Sequence, residues 1–455
     1  MFKINELLEA TGGKLILKRK DRAPGAVSID SRTVRQGDVF IAIKGKNFDG
    51  HDYVKEAVKK GANTLIIMRH LPGVGSSSNA NIILVNDTVR ALGDIAHSYR
   101  SKFQTPVIAV TGSNGKTSTK ELVAWLLESK YKVLKSPGTQ NNQIGLPMTL
   151  LKLNKGHGMA VLEIGTNHFG EVDYLTKIAR PNIGIITNIG PSHLEFLNSF
   201  NDVYREKYYV IKNLISPFIG ILNMDDEFLR GSAKTRTDEN FIVGFGVRNR
   251  SDLRASAIKR GHDYVEFLVN SKYQMRLNTV GAYNVYNALA AISAARLFGI
   301  EYEKIAARLA EFSFPEGRLT LRVMSDTNFL DDTYNSNPAS LEKALEALRT
   351  FKARGRKIFI MGDMLELGSY AESFHRKAGK TVAQICDVFI TVGSFTRLTA
   401  EAARKAGMRA SSIFACSSSK EARDVLIRKL KPSKDDMVLV KGSRMMQMEQ
   451  IILNR

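Results

Sequence analysis

Cysteine is scarce, with Cys386 and Cys416 the only two in 455 residues. Two cysteines cannot build a disulfide framework or a cysteine-based zinc site, and a reducing compartment is the simple expectation. Long apolar runs are also missing. No stretch of 18 apolar residues occurs, and the first residues, Met1-Phe-Lys-Ile-Asn-Glu-Leu-Leu-Glu9, lack the apolar centre of a signal peptide. No membrane span is expected, and the expected location is the cytoplasm. There is no internal repeat and no low-complexity tract.

Acidic residues are in deficit, with 45 Asp and Glu against 66 Lys and Arg, a formal net charge of +21. Such an excess would ordinarily raise nucleic-acid binding. Here the basic residues are interleaved with acids along the whole chain, and neither a basic tail nor an aromatic RNP strand is present. No nucleic-acid partner is expected. A basic surface also suits an anionic, nucleotide-linked substrate, although net charge alone does not identify one.

What is present is ample apolar material, 44% hydrophobic beside 24% charged residues, as in a folded globular protein. The length exceeds one ordinary core, and three domains are the working number. Residues 1–100 alternate short apolar strands with helices: strands at Val39–Ile43, Thr64–Met68 and Asn81–Val85, and a helix at Tyr53–Lys60. Pro72–Asn79 reads as a surface excursion. Buried-strand patterns recur at Val107–Val110, Met159–Glu163, Ile183–Thr187 and Phe218–Leu222, with helical periodicity over Lys120–Ser129 and an alanine-rich helix over Asn284–Phe298. Phe314–Gly317 reads as a linker. Beyond it, strands at Lys357–Met361, Asp387–Val392 and Met437–Val440 alternate with helices and predict a second doubly wound sheet. The expected class is α/β: a small N-terminal domain (1–100), a central parallel-sheet domain of the phosphate-loop type (101–313), and a C-terminal Rossmann-like domain (314–455).

Between the Val107–Val110 strand and the following helix stands Thr111-Gly-Ser-Asn-Gly-Lys-Thr-Ser118. Glycines let backbone N–H groups converge on phosphates, a lysine neutralises the β and γ charges, and the next hydroxyl can hold magnesium. Gly112, Gly115, Lys116 and Thr117 supply these parts. The general pattern wants glycine where Val110 stands, so the loop is a compressed form. A phosphate loop does not by itself separate GTPase, ATPase, kinase and ligase. No guanine-reading Asn-Lys-x-Asp occurs.

The loop has the form Thr-Gly-[Ser/Thr]-Asn-Gly-Lys-Thr, and the chain closely resembles the Mur ligase family over nearly its whole length. The resemblance is carried also by Asp30–Arg32 with Gly45 and Asp49–His51, by Asn141–Pro147, and by Thr187–Glu195. Further along it is carried by Asp331–Pro338, Met361–Gly368 and Val440–Arg444. Within the family these segments are similar to those of members that add D-Ala-D-Ala. The resemblance implies that ATP phosphorylates the terminal carboxylate of a UDP-linked muramoyl tripeptide (UDP-MurNAc-tripeptide). The D-Ala-D-Ala amine then attacks the acyl phosphate, and phosphate leaves. Two anions meet in the first step, so cations have to screen them.

The resemblance also implies roles. Gly112, Ser113, Asn114, Gly115, Lys116, Thr117 and Ser118 would hold the nucleotide, with Arg318 at its phosphates, Asp332 near the ribose, and Asn284 and Asn287 at the base. Two magnesium ions would involve Thr117, Glu163, His193 and a carbamylated Lys207. Lys116, Glu163, His193 and Lys207 would be the catalytic set. Ser31 and Arg32 would meet the uridine diphosphate, Asn141, Asn142 and Gln143 the muramoyl peptide, and Tyr334, Asn335 and Asn337 the D-Ala-D-Ala. His375 is given no chemistry. Tyr208 and Tyr283 depart from the family pattern, which commonly has glycine and histidine there. Read without the resemblance, Glu163 is more often a loop salt-bridge partner, His193 a structural histidine and Lys207 a solvated helix charge, so the role of Lys207 rests wholly on the resemblance. Arg318 is equally a linker charge, Asp332 a turn former and Ser31 part of an ordinary turn. A monomer is expected. The alternatives are a sister ligase adding a single amino acid, a folylpolyglutamate synthetase, or a nucleotide-dependent binding protein that has kept the fold.

Overall fold

The computed structural model describes residues 2–19, 23–72, 79–232 and 241–452. Residues 73–78 of the expected excursion lie outside them. Two compact units divide the chain: residues 1–109, 132–166 and 171–182, and residues 110–131, 167–170 and 183–455.

In the first unit a five-stranded sheet has the order Lys14–Leu17, Asn81–Leu84, Thr64–Ile67, Val39–Ile41, Val27–Ser28. All pairings are parallel except that of the edge strand Lys14–Leu17. Successive side chains point to opposite faces. Phe40, Leu65, Ile67 and Ile82 therefore pack with Val54 and Ala57 on one side, while Val39, Ile41, Ile66 and Ile83 meet Leu7, Leu92 and Ile95 on the other. Burial on both faces explains the unbroken apolar runs. The expected helix at Tyr53–Lys60 begins as a 3-10 turn, Gly50–Tyr53, and continues as the helix Val54–Lys59. The helix Thr88–Arg100 gave no sequence signal strong enough to be marked. Asp87 caps it, accepting the N–H groups of Val89 and Arg90. Val133–Lys135 and Met159–Glu163 form a further parallel pair in this unit.

In the second unit the strands Ile183–Ile186, Ile219–Asn223, Phe241–Gly246 and Leu253–Arg260 are parallel neighbours. Leu253–Arg260 then continues into an antiparallel ribbon with Val265–Val269 and Tyr273–Leu277. This ribbon is new relative to the sequence reading. Its strands are half-exposed, with the burial pattern of Tyr273–Leu277 alternating, so they lack the apolar run that marks a buried strand. The helix Asn284–Leu297 is buried at nearly every position to Ala295, and its alanines allow close packing on the helix Lys116–Leu127.

The same unit holds a six-stranded sheet of order Thr320–Met324, Thr327–Asp332, Met437–Lys441, Lys357–Gly362, Val388–Val392, Ile413–Cys416. Apart from the hairpin that opens it, the sheet is parallel, and apolar clusters cover both faces. The expected doubly wound sheet is therefore present with an antiparallel edge. Ligands gather at the carboxyl ends of such strands; here those ends carry Asp332, Asp363 and Lys441.

Candidate active site

The strand Val107–Thr111 is buried throughout, and the loop after it turns twice through glycine. Gly112 has φ of +146° and Gly115 of +80°. A Cβ at Gly112 would overlap the Thr187 hydroxyl, and one at Gly115 the Asn287 amide oxygen. Conformation and space both demand glycine there. Gly115 caps the helix Lys116–Leu127 with no side-chain hydrogen bond, as a helix start that receives an anion requires. The helix thus begins four residues before the apolar periodicity that marked it. Gly112→Ala is expected to weaken ADP binding at least tenfold, about 1.4 kcal/mol or more by calorimetry, with the fold retained by circular dichroism.

Around the loop, polar side chains are already satisfied. Ser113 Oγ donates to Gly190 O at 2.9 Å, and its N–H donates to Asn188 O at 2.9 Å. Asn114 N–H donates to Asn188 Oδ1 at 3.0 Å, and its carbonyl accepts from Thr187 Oγ1 at 2.6 Å. The loop is therefore held by Thr187–Gly190, the start of one of the segments noted in the sequence. Asn284 and Asn287 lie behind it. Asn287 Oδ1 accepts from Thr119 Oγ1 at 3.2 Å, its Nδ2 donates to Asn284 Oδ1 at 2.8 Å, and Asn284 Nδ2 donates to Thr279 Oγ1 at 2.9 Å. Both side chains are buried and spend these amide groups inward.

Lys116 on the loop is joined by three titratable side chains from elsewhere in the second unit, Arg318, Lys207 and His193. Lys116 Nζ donates to Gly112 O at 2.8 Å, so its ammonium lies across the loop. Arg318 Nη2 donates to Thr117 Oγ1 at 3.0 Å, and its guanidinium stacks 3.7 Å from the Tyr334 ring centre. Lys207, on the helix Phe200–Lys212, is only 1% exposed. Burial, and then the charge of Lys116, hold its pKa well below the usual lysine range, with Glu206 opposing. Burial also lowers the His193 pKa; the bond from Glu366 works against this, and the charges of Lys207 and Lys116 add to the lowering. Lys116, His193 and Lys207, 91 residues apart at the extremes of the sequence order, thus share one electrostatic neighbourhood.

From the C-terminal sheet, Asn337 Nδ2 donates to Asn114 Oδ1 at 2.8 Å, while its Oδ1 accepts Ser340 N–H at 2.9 Å and caps the helix Pro338–Thr350. Tyr334 is half-buried beneath Arg318, and Asn335 is exposed. Asp332 accepts from Lys441 Nζ at 2.6 Å, and the same ammonium donates to Asn335 O at 2.9 Å. Lys441 is 1% exposed. Removing one partner of a buried ion pair strands the other charge. Lys441→Met is therefore expected to cost about 3–5 kcal/mol of stability in urea denaturation.

In the first unit, Glu163 is 1% exposed, and its Oε1 accepts from Asn141 Nδ2 at 2.8 Å. Its Oε2 is buried without a hydrogen-bond partner. Asn142 Oδ1 accepts the N–H groups of Ile144 and Gly145, ordering the start of the helix Gly145–Leu150, and Gln143 beside it is half-buried. Ser31 Oγ donates to Glu56 Oε2 at 3.0 Å. Arg32 is exposed and forks onto Asp30, holding that carboxyl down to about 2. His375 is buried, accepting Met364 N–H and bonded to Ala371 O.

Among the described residues no three His, Cys, Asp or Glu side chains are gathered as a metal cluster. Magnesium at a phosphate site needs none, because it keeps waters and takes one or two carboxylates with phosphate oxygens. Within the second unit Thr117 offers a hydroxyl of the right chemistry at the loop; within the first, Glu163 Oε2 is a buried carboxylate oxygen with no hydrogen-bond partner. Two further residues bear on the site without being predicted from the sequence. Glu366 bonds His193 and Lys441 holds Asp332, and both lie in segments whose resemblance was noted. Their signal was a charged residue just beyond an apolar strand.

Strand, glycine loop and helix, with a cation on the loop, define a phosphate-loop nucleotide-binding protein. Residues 25–100 match the Mur ligase family catalytic domain, 110–295 the Mur ligase middle domain, and 317–444 the Mur ligase glutamate ligase domain. The chain belongs to the Mur ligase family. It is 33% identical to the UDP-N-acetylmuramoyl-tripeptide--D-alanyl-D-alanine ligase of Bacillus subtilis, over 94% of this chain and 92% of that one. Its structure is similar to the crystal structure of MurF from Acinetobacter baumannii, with TM-score 0.87, 32% identity, and 99% and 98% of the two chains covered. It is also similar to MurF ligase from Thermotoga maritima in complex with ADP, with TM-score 0.82, 28% identity, and 94% and 96% covered.

Proposed function

We propose that the chain is an ATP-dependent ligase joining D-Ala-D-Ala to the terminal carboxylate of UDP-MurNAc-tripeptide, with UDP-MurNAc-pentapeptide, ADP and phosphate as products. The observation that carries the nucleotide half of this reading is the bond from Arg318 to Thr117, which brings a second cation to the hydroxyl beside Lys116. The full-length likeness to D-Ala-D-Ala-adding ligases supports the choice of substrates.

The loop N–H groups and Lys116 bind and orient the β and γ phosphates, and Arg318 reaches the same place from the C-terminal sheet. The substrate carboxylate attacks the γ phosphorus, the bond to the β-γ bridging oxygen breaks, and ADP leaves. Charge developing on the transferred group is met by cations already in position, so little reorganisation is needed. The D-Ala-D-Ala amine then attacks the acyl carbon, loses a proton, and phosphate departs. Magnesium, when bound, would supply charge neutralisation at the phosphates, and Thr117, Glu163, His193 and a carbamate on Lys207 would hold it. For that carbamate, the neutral Lys207 amine adds to carbon dioxide: an N–C bond forms, one C=O π bond becomes carboxylate, and a proton is released. Burial and the charge of Lys116 lower the Lys207 pKa, which raises the share of amine that carries a free lone pair.

Ser31, Arg32, Asn141, Asn142 and Gln143 are assigned to the UDP-muramoyl peptide. Tyr334, Asn335 and Asn337 are assigned to the dipeptide, and Asn284, Asn287 and Asp332 to the nucleoside end. Domain limits of 1–100, 101–313 and 314–455, a monomeric state and a cytoplasmic location belong to the same proposal; no helix among the described residues is long and apolar enough to cross a membrane. The test is to mix the protein with ATP, magnesium, D-Ala-D-Ala and UDP-MurNAc-tripeptide carrying either diaminopimelate or lysine. Pentapeptide by mass spectrometry is the expected result. Phosphate release with no new peptide bond overturns the reading.

A further inference from the structure

His193 and Glu366 meet across 173 residues of sequence, with His193 Nδ1 2.8 Å from Glu366 Oε2. Both residues sit in the left-handed region without being glycine, at φ +54° and +63°. Such backbone persists only where the surroundings over-determine it, and it gathers at functional sites. Here the surroundings are mutual. Glu195 N–H donates to Glu366 O at 3.4 Å, and a Cβ on Gly368 would press within 3.1 Å of Glu195 Cα. The turn Glu366–Gly368, which follows the strand Lys357–Gly362, is thus seated on the turn that presents His193.

An imidazole has two nitrogens, and the bond made by one fixes what the other can do. With Nδ1–H donated to Glu366, Nε2 keeps its lone pair and its direction is set. Metal-binding histidines are commonly oriented this way by a carboxylate. We infer that Glu366 is a positioning residue: from the C-terminal sheet it holds His193 in the Nε2-lone-pair tautomer. The cation site beside the phosphate loop is therefore complete only when the Glu366–Gly368 turn is docked. The consequence is a coupling between seating of the C-terminal segment and readiness of the cation site. ATP held without that segment in place would lack an ordered His193, which guards against wasteful phosphate transfer to water.

This inference rests on the metal role proposed for His193, and the test separates the two. The full-length protein and its Glu366→Ala, Glu366→Gln and His193→Ala variants are compared by two readouts. One is long-range 1H–15N correlation on 15N-histidine protein without metal, with the His193 signals identified by their loss in His193→Ala. The other is Mn2+ binding to the ADP-bound protein, followed by the free-ion EPR signal. In the wild type the Nδ1–H tautomer is expected. Glu366→Gln, whose amide oxygen still accepts, keeps that tautomer and Mn2+ affinity within about threefold, whereas Glu366→Ala gives mixed tautomers and binds Mn2+ about 10–100-fold more weakly. Unchanged tautomer and affinity in Glu366→Ala overturn the positioning role while leaving the metal role intact. Unchanged Mn2+ affinity in His193→Ala overturns the metal role, and the inference with it. Retained folding of Glu366→Gln guards against reading a structural collapse as loss of positioning.

Discussion

Lys116→Ala is expected to lower kcat/KM for ATP by about a thousandfold or more, the scale on which a single cation acts on a transferring phosphoryl group. The physical reason is the meeting of a carboxylate with a triphosphate. Lys116 stands across the loop, within 2.8 Å of the Gly112 carbonyl, so its charge is already where the β and γ oxygens arrive. Moving it there costs nothing during the reaction. Thr117, Arg318 and the loop N–H groups remain in the variant, so ADP is expected to bind with a smaller loss than that in turnover. Lys116→Arg is expected to be impaired as well, because a planar guanidinium is bulkier than an ammonium and presents its donors in a fixed fork. Steady-state assays of phosphate and pentapeptide, with melting temperatures as the folding control, check this. Turnover of Lys116→Ala within tenfold of the parent rules out the assigned role.

The second large effect is expected at Lys207, where Lys207→Ala should lose about a hundredfold to a thousandfold in kcat, comparable with losing a preorganised charge-stabilising group. This residue is 1% exposed and its amine is driven toward the neutral form by burial and by Lys116. A buried amine whose pKa is lowered is less suited to being a permanent cation and better suited to adding carbon dioxide. The variant leaves a space the size of a short carboxylate, so formate or acetate at high concentration is expected to restore part of the activity. Neither should help the parent enzyme. Removing dissolved carbon dioxide should slow the parent and leave the variant unaffected. If Lys207→Ala turns over normally, or if its loss is not relieved by any small carboxylate, the carbamate is excluded.

Much of the fold was legible because buried parallel strands carry their own signature. Ile183–Ile186, Lys357–Gly362 and Met437–Lys441 are covered on both faces, so each reads as an unbroken apolar run. The ribbon Leu253–Leu277 carries no such run because its strands are half-exposed. The helix Thr88–Arg100 escaped notice because no glycine loop or apolar run announced it. The phosphate loop was legible for a different reason. Its chemistry is local: Gly112 and Gly115 must adopt positive φ and make room for Thr187 and Asn287, and only the backbone around them has to be known.

The sequence by itself determined the α/β class, the compressed glycine loop and the family likeness, all of which depend on residues adjacent in the chain or on a repeating period. Only the tertiary structure decided what stands beside that loop. Lys207 is a solvated helix charge until burial removes its water, and His193 is an ordinary turn residue until Glu366 arrives from 173 residues away. Asn284 and Asn287 show in the sequence only as two amides one helical turn apart; that they bond to each other, to Thr119 and to Thr279 is visible only in the fold. Burial, tautomer and hydrogen-bond occupancy are properties of neighbours in space, and no local pattern encodes them.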